Sequence, residues 1–195
     1  MKLWTQKVYI NEDYSDHTME LRKKLLNEAK DLRAKETWCS SDDVNFFTNF
    51  ELPGFNVISL ARKTNKRGGG VLIYVKNNLR YFTRHDMSIS DADKEVLTIE
   101  ILTNKIKNKI LSCCYRPPSG EIKNFNSFLC NDVIKKSNHE NKFIYLVGDL
   151  NLDCFQYHVN NNIKRFHNGI FENGAIPLIS KPTRITQSST SLINH

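Results

Sequence analysis

The sequence predicts a mixed α/β or α+β sandwich in which helices cover β-sheets. Apolar runs of strand length follow one another through the first half of the chain, and helical patterns alternate with them in the second half. This order is typical of sheets that pack face to face and carry helices outside. A length of 195 residues fits one domain with a substantial core.

The strands are predicted from apolar runs with turn signals beside them. Pro53-Gly54 precedes the first run, and the triple glycine Gly68-Gly69-Gly70 precedes the second. The five predicted strands are residues 55–60, 71–75, 96–102, 110–115 and 143–147.

Three segments have helical spacing of apolar residues. Residues 16–36 read as a charged helix, and residues 121–136 and 160–173 as two further helices. Phe125, Phe128 and Leu129 form a stripe on the second, and we expect this stripe to face the core.

Charge and cysteine content restrict the class of protein. The excess of 28 Lys and Arg over 21 Asp and Glu gives a net charge of +7, which favours nucleic acid or an anionic membrane surface as partner. Five cysteines without Cys-x-x-Cys spacing argue against disulfide partners and against a zinc site. No apolar stretch reaches the roughly 18 residues of a membrane span, and no signal peptide is visible. We therefore expect an intracellular protein in a reducing compartment.

The run from Lys142 to Asp153 contains the strongest site signal. Its apolar part, Phe143–Val147, is typical of a strand covered on both faces, and Gly148 ends it. Ligands bind beyond the carboxyl ends of such strands. On an extended backbone, Asp149 and Asn151 would point the same way and suit a divalent metal and a phosphate. The alternative is a turn whose side chains bond to their own backbone.

Other fragments give this turn a context. They are Lys35-Glu36-Thr37-Trp38, Arg67-Gly68-Gly69-Gly70-Val71, Cys114-Tyr115-Arg116-Pro117-Pro118, Lys181-Pro182-Thr183-Arg184-Ile185-Thr186 and Ser191-Leu192-Ile193-Asn194-His195. In order and spacing they resemble the endonuclease domain of non-LTR retrotransposons, of the endonuclease/exonuclease/phosphatase superfamily. The resemblance covers residues 32–195 and leaves 1–31 as an atypical, charged, helical segment. It implies a DNase I-like four-layer sandwich of two mostly antiparallel sheets flanked by helices.

The resemblance also implies roles for individual residues. Glu36 would bind Mg²⁺ or Mn²⁺, Asp149 would activate or position water, and Asn151 and Tyr115 would contact the phosphate. Weaker nucleic-acid contacts are implied for Arg116, Thr183, Arg184 and Asn194. For Arg116 a structural role is the alternative, and for Thr183 and Arg184 a surface turn.

The sequence departs from the family's pattern at both ends. The family's first strand carries an asparagine, and residues 1–30 show neither that strand nor a convincing counterpart, since Asn11 lies in a polar segment. Asn194 stands where the family has an aspartate, and His195 precedes the place of the family's separate Ser-Asp-His. We therefore expect an incomplete sandwich, truncated at both ends, with unpaired sheet edges.

Three functional hypotheses follow. The first is a Mg²⁺-dependent DNA endonuclease that nicks target DNA in the nucleus, so that a reverse transcriptase domain of the same element can prime from the nick. The alternative is a non-catalytic remnant that binds nucleic acid through its basic surface, identified by salt-sensitive binding without cleavage. The third, ranked last, is a phosphoinositide phosphatase or a base-excision repair nuclease of the same superfamily.

Overall fold

The computed structural model describes residues 7–9, 52–62, 70–104, 107–178, 184–185 and 190–192. Within these ranges the chain forms two main β-sheets, a short hairpin and a layer of helices. The predicted helix at 16–36 lies outside the described residues. No helix in the described ranges has both the length and the apolar character needed to cross a membrane.

The smaller sheet has three strands in the order β1–β3–β2. They are β1 (Lys7–Tyr9), β2 (Phe55–Leu60) and β3 (Val71–Lys76). β2 and β3 are antiparallel, whereas β1 runs parallel to β3. The expectation that residues 1–30 contribute no strand is therefore wrong. A three-residue strand whose pairing comes from a distant segment leaves almost no periodicity to read in the sequence.

The larger sheet has the order β4–β6–β7–β8, with β5 also paired to β6. Its strands are β4 (Arg80–Thr83), β5 (Ile89–Ser90), β6 (Glu95–Leu102), β7 (Lys109–Tyr115) and β8 (Phe143–Asp149). All pairs are antiparallel except β7 with β8, which are parallel. The carboxyl ends of β7 and β8 therefore meet at one edge of the sheet. A hairpin of β9 (Arg184–Ile185) and β10 (Thr190–Ser191) completes the described strands.

Helices cover the outer face of the larger sheet. They are α1 (Ile122–Phe128), a π-helical stretch (Leu129–Ile134), α2 (Lys135–His139) and α3 (Asn161–Glu172). α3 begins where the side chain of Asn160 accepts hydrogen bonds from the backbone N–H groups of Asn162 and Ile163. Both helices predicted in this half of the chain are confirmed, and the first continues to His139.

The larger sheet has a hydrophobic core on each face. Between the sheets lie Val71, Ile73, Val75, Leu97, Ile99, Ile101, Leu111 and Cys113. Between the larger sheet and the helices lie residues including Val96, Ile110, Cys114, Phe125, Leu129 and Phe166. Phe128 packs against this second core, so the predicted apolar stripe of the helix does face it. Sheet, sheet and helices thus give three layers of a sandwich, which confirms the predicted fold class.

β8 is covered less completely than its apolar sequence predicts. Ile144 and Leu146 pack against the core on the helix side. Phe143 and Tyr145 alternate with them and are 53% and 43% exposed. β2 and β3 pack over β6 and β7 instead, so the first half of β8 extends beyond the smaller sheet. The prediction of a strand buried on both faces is wrong for this half.

Candidate active site at the ends of strands β7 and β8

Three neighbouring strands bring a row of polar side chains together at the edge of the larger sheet. The row is Glu95, which begins β6, Tyr115, which ends β7, and Asp149, which ends β8. In the strand register Glu95 pairs with Tyr115, and Tyr115 pairs with Asp149. Residues paired in register point to the same face, with Cβ atoms about 5 Å apart. The structure therefore brings together Tyr115 and Asp149, two predicted site residues, and adds Glu95.

The row lies at one end of the core between the two sheets. Tyr115 and Val147 both pack against that core. Glu95 shares the same face of β6 with Leu97 and Ile99, because side chains alternate along a strand. Its own side chain is fully buried. The polar row thus continues an apolar layer, and its groups are partly withdrawn from water.

The turn after β8 depends on Gly148. Its φ of +145° is one that other residues rarely adopt, and an added Cβ would lie 1.8 Å from the backbone oxygen of Cys114 on β7. Glycine therefore allows β8 to lie close against β7 just before Asp149. This close approach sets the position of the carboxylate relative to Tyr115.

Asp149 and Asn151 are joined by a turn and not by extended backbone. The backbone N–H of Asn151 donates to Asp149 Oδ1 at 3.0 Å, and Asn151 has a left-handed φ of +48°. The expectation that both side chains project from one extended segment is therefore corrected. Asp149 is anchored by the turn it begins, which is the local bonding that Asp and Asn favour.

Burial makes Asp149 a stronger base than an ordinary aspartate. Its side chain is 9% exposed, and this desolvation raises the pKa of its carboxyl. The hydrogen bond from the Asn151 backbone and the positive charge of Arg116 oppose the rise. Oδ2 has no hydrogen-bond partner within the described part of the chain, which leaves one oxygen for a ligand.

Arg116 holds the turn in place from inside the protein. Its guanidinium donates to the backbone oxygens of Leu150 at 2.8 Å, Gly120 at 2.6 Å and Asn151 at 2.7 Å. Its backbone N–H donates to the oxygen of Asp149 at 3.0 Å. With 3% of the residue exposed, the guanidinium faces protein carbonyls. These contacts favour the structural alternative for Arg116, and its implied nucleic-acid contact stays a prediction.

The side chain of Asn151 is also tied to the exit of β7. Its Nδ2 donates to the backbone oxygen of Arg116 at 2.8 Å. One face of the amide is thus used by the protein, and its contact with a phosphate stays a prediction.

The remaining predicted site residues are described less fully. Glu36, Thr183 and Asn194 lie outside the described residues, and Arg184 is described as the first residue of β9, with its backbone paired to Ser191.

The segment after β10 lies against the chain that follows Asp149. The backbone N–H of Leu192 donates to Asp153 Oδ1 at 3.0 Å, and the N–H of Cys154 donates to the oxygen of Leu192 at 2.9 Å. These bonds join Leu192, near the end of the sequence, to Asp153 and Cys154, and Asp153 follows Asp149 by four residues. No sequence pattern indicated this contact.

Glu95 is the site residue that sequence reasoning missed. Its Oε1 forms an ion pair with Nε of Arg62, and its Oε2 accepts from the backbone N–H of Gly70 at 2.7 Å. The carbon of the Arg62 guanidinium lies 5.5 Å from the ring centroid of Tyr115. A signal was present, because alternation along β6 places this carboxylate on the same face as Leu97 and Ile99.

Among the described residues, the row offers a divalent cation one free carboxylate. No three His, Cys, Asp or Glu residues in the described ranges are grouped to hold a metal ion. Both Glu95 oxygens are bound by protein groups, so Asp149 supplies the free carboxylate of the row. Mg²⁺ usually keeps several waters and binds through one or two carboxylates and substrate phosphates.

A comparison with solved structures gives a clear match. The solved structure titled "Endonuclease domain of TRAS1, a telomere-specific non-LTR retrotransposon" is similar to this chain with a TM-score of 0.56 and 14% sequence identity. The alignment covers 73% of this chain and 64% of that one. The chain has a DNase I-like fold. The resemblance read from the motifs is thereby confirmed at the level of the fold.

The sequence of this DNase I-like chain gives no match to known families or curated proteins. A scan against models of protein families found no match, and a search of curated proteins found none either. Four of the five cysteines, Cys113, Cys114, Cys130 and Cys154, fall in the described ranges, and no disulfide is formed there.

Proposed function

We propose that the protein is an endonuclease that hydrolyses phosphodiester bonds of DNA at the ends of β7 and β8. The observation that carries this proposal is the pairing of Tyr115 with Asp149 at the carboxyl ends of adjacent parallel strands. A phenol and a desolvated carboxylate on neighbouring strands provide a hydrogen-bond donor and a base at one place. The shared fold with a retrotransposon endonuclease domain supports the same reaction class.

Two residues of the row, Asp149 and Tyr115, and the neighbouring Arg116 have roles in the proposed reaction. Asp149, whose pKa is raised by burial, accepts a proton from the attacking water or orients it. The phenol of Tyr115 donates a hydrogen bond to a phosphate oxygen and favours the charge that builds there. Arg116 keeps Asp149 and Asn151 in register with the end of β7.

A divalent cation completes the proposed chemistry. Glu36 would hold Mg²⁺ or Mn²⁺, which when bound supplies positive charge to the phosphate oxygens. Mg²⁺ suits the oxygen donors of this row better than softer metals do.

DNA is the substrate that the charge of the chain favours. A net charge of +7 attracts a polyanion and speeds its encounter with the protein. In a retrotransposon the product nick would prime a reverse transcriptase domain of the same element, and the site of action would be the nucleus.

Nicking of supercoiled plasmid tests the proposal. Purified protein is incubated with plasmid and Mg²⁺, beside EDTA and the Asp149→Ala variant. Glu172→Gln, which removes an exposed carboxylate on α3, is the matched control. Loss of supercoils that needs both the metal and Asp149, and persists in the control, supports the proposal. Intact plasmid in the presence of folded wild-type protein contradicts it.

A second candidate is a protein that binds DNA without cleaving it. The observation that favours it is the use of the Asn151 amide by the backbone of Arg116, which takes donor capacity away from a phosphate. Under this alternative, DNA binding weakens as salt is added, while plasmid stays supercoiled under every metal condition.

A further inference from the structure

We propose that Arg62 is an additional phosphate-binding residue of this site, held by Glu95 against Tyr115 with one N–H group left for an oxygen of the DNA backbone. This inference rests on the proposed function, from which it takes the substrate. It concerns a residue that neither the motifs nor the resemblance assigned.

Arg62 lies directly over the row. It follows the end of β2 by two residues, and its Nε is paired with Glu95. Its guanidinium carbon stands over the Tyr115 ring, 5.5 Å from the centroid. Tyr115 is in turn the register partner of Asp149. The cation is therefore fixed next to the place where the scissile phosphate is proposed to bind.

Within the described residues, one nitrogen of this guanidinium has no acceptor. Nη2 of Arg62 is buried and finds no hydrogen-bond partner there, and 11% of the whole side chain is exposed. A buried donor without an acceptor is unfavourable and rare in folded proteins. An acceptor that arrives with a ligand would complete the set.

Two other buried arginines show how such a group is normally satisfied in this protein. Arg84 donates through Nε, Nη1 and Nη2 to the carboxylates of Asp86, Glu100 and Glu140. Arg116 donates through the same three nitrogens to backbone carbonyls. Arg62 differs because its Nη2 has no such acceptor among the described residues.

Phosphate is the acceptor that fits this donor. A guanidinium presents N–H groups in a rigid fork that matches the oxygens of a phosphate. The Glu95 oxygens are already used by Arg62 Nε and by Gly70, so Glu95 fixes the arginine without satisfying Nη2. The ion pair therefore holds the guanidinium in position and leaves Nη2 of Arg62 for a ligand.

Salt dependence of DNA binding tests the contact without requiring catalysis. Fluorescence anisotropy of a labelled DNA duplex is measured in EDTA over a series of KCl concentrations. The slope of log affinity against log salt is negative. For a phosphate contact, Arg62→Gln should lower the magnitude of this slope by about 0.9, so that binding depends less on salt. Arg80→Gln is the matched control, since Arg80 is exposed and pairs with Leu102 at the far end of β6, about 20 Å along the strand from Glu95. The control should leave the slope near that of the wild type.

A second variant separates loss of a phosphate contact from misfolding. Arg62→Gln leaves the buried Glu95 without its cation, so the double variant Arg62→Gln/Glu95→Gln, which replaces the ion pair by two amides, is measured beside it. A lowered slope in the folded double variant supports the phosphate contact. A wild-type slope in the folded double variant overturns it, and Arg62 then only supports Tyr115.

Plasmid nicking separates this inference from the proposed function. A lowered slope without nicking by the wild type supports the Arg62 contact and contradicts the endonuclease. Metal-dependent nicking with an unchanged slope overturns the Arg62 contact and leaves the endonuclease in place.

Discussion

Burial of Asp149 makes its carboxylate more basic and lowers the stability of the folded protein. Burial disfavours its charged form, so the ionised carboxylate is less stable in the fold than in water. Replacing it by asparagine removes the charge while keeping an oxygen that accepts from the Asn151 backbone. We expect Asp149→Asn to lower the nicking rate by about 10²- to 10⁴-fold and to raise the free energy of unfolding by about 0.5–2 kcal/mol at neutral pH. Urea unfolding beside the nicking assay measures both, and a less stable variant would contradict the argument.

The raised pKa of Asp149 also predicts the pH dependence. The base must be ionised, so the nicking rate should rise with pH and level off above a pKa higher than the ordinary aspartate value of about 3.9. For stability the sign is opposite, because the folded state holds the proton more tightly than the unfolded state. The stabilising contribution of protonated Asp149 is lost as pH rises through its folded pKa. Nicking rates over an acid-to-neutral series test the first expectation. Urea unfolding over the same series tests the second, in which Asp149→Asn gains stability at neutral pH and none at acid pH.

Arg116 should matter for folding before it matters for chemistry. Replacement by methionine keeps the bulk but leaves the backbone oxygens of Gly120, Leu150 and Asn151 without their donor. We expect a loss of about 3 kcal/mol or more in the free energy of unfolding. Arg80→Met, at an exposed position, should change it by less than about 0.5 kcal/mol. Equal effects of the two substitutions in urea unfolding would show that the carbonyl contacts carry little energy.

The sequence predicts the surroundings of some candidate residues better than those of others. That Tyr115 and Asp149 lie together follows from strand ends, which are local features, and from the register that makes them neighbours. The partners of Arg116 could not be predicted, since those of a guanidinium depend on loops distant in sequence. Glu95 was missed because a buried carboxylate is explained by its cation, and Arg62 lies 33 residues away.

Among the elements, the close approach of β8 to β7 is the place where we expect a substitution to destabilise the fold most. Gly148→Ala would place a methyl group 1.8 Å from the Cys114 backbone oxygen, between two strands that are hydrogen-bonded to each other. We expect a loss of at least about 4 kcal/mol and very little folded protein. Gly54→Ala is the matched control, because Gly54 also has a positive φ, +86°, but an added Cβ there meets nothing within 4 Å. It should cost about 1 kcal/mol, and similar thermal unfolding of the two variants would contradict the steric argument.

Elements with their own periodicity were predictable, and those that depend on a partner were not. β6, β7 and α3 combine length with a regular apolar pattern, so their positions follow from the sequence. β4 has four residues, two of them exposed, and its pairing with β6 alone makes it a strand. β1 is shorter still and gains its conformation from β3. Pairing between distant segments is tertiary information that local pattern does not contain.

At the scale of the whole molecule, the two sheets overlap only in part. β3 and β2 cover β6 and β7, and the core between the sheets ends along β8 near Val147. Beyond it, Phe143 and Tyr145 present aromatic surface, and in the described residues β8 is paired on one side only, by β7. The site at the carboxyl end of β8 therefore lies at the covered end of a strand whose other end is open.

An exposed apolar strand edge favours association between molecules. We expect the wild type to self-associate as its concentration rises, and Phe143→Lys to reduce this, because an edge charge opposes pairing with another strand. Phe171→Lys removes a comparably exposed aromatic ring from α3, 49% against 53%, and should leave association unchanged because it lies away from the strand edge. Sedimentation velocity over a concentration series measures the effect. A wild type that stays monomeric, or an equal effect of both substitutions, would show that the open half of β8 does not drive association.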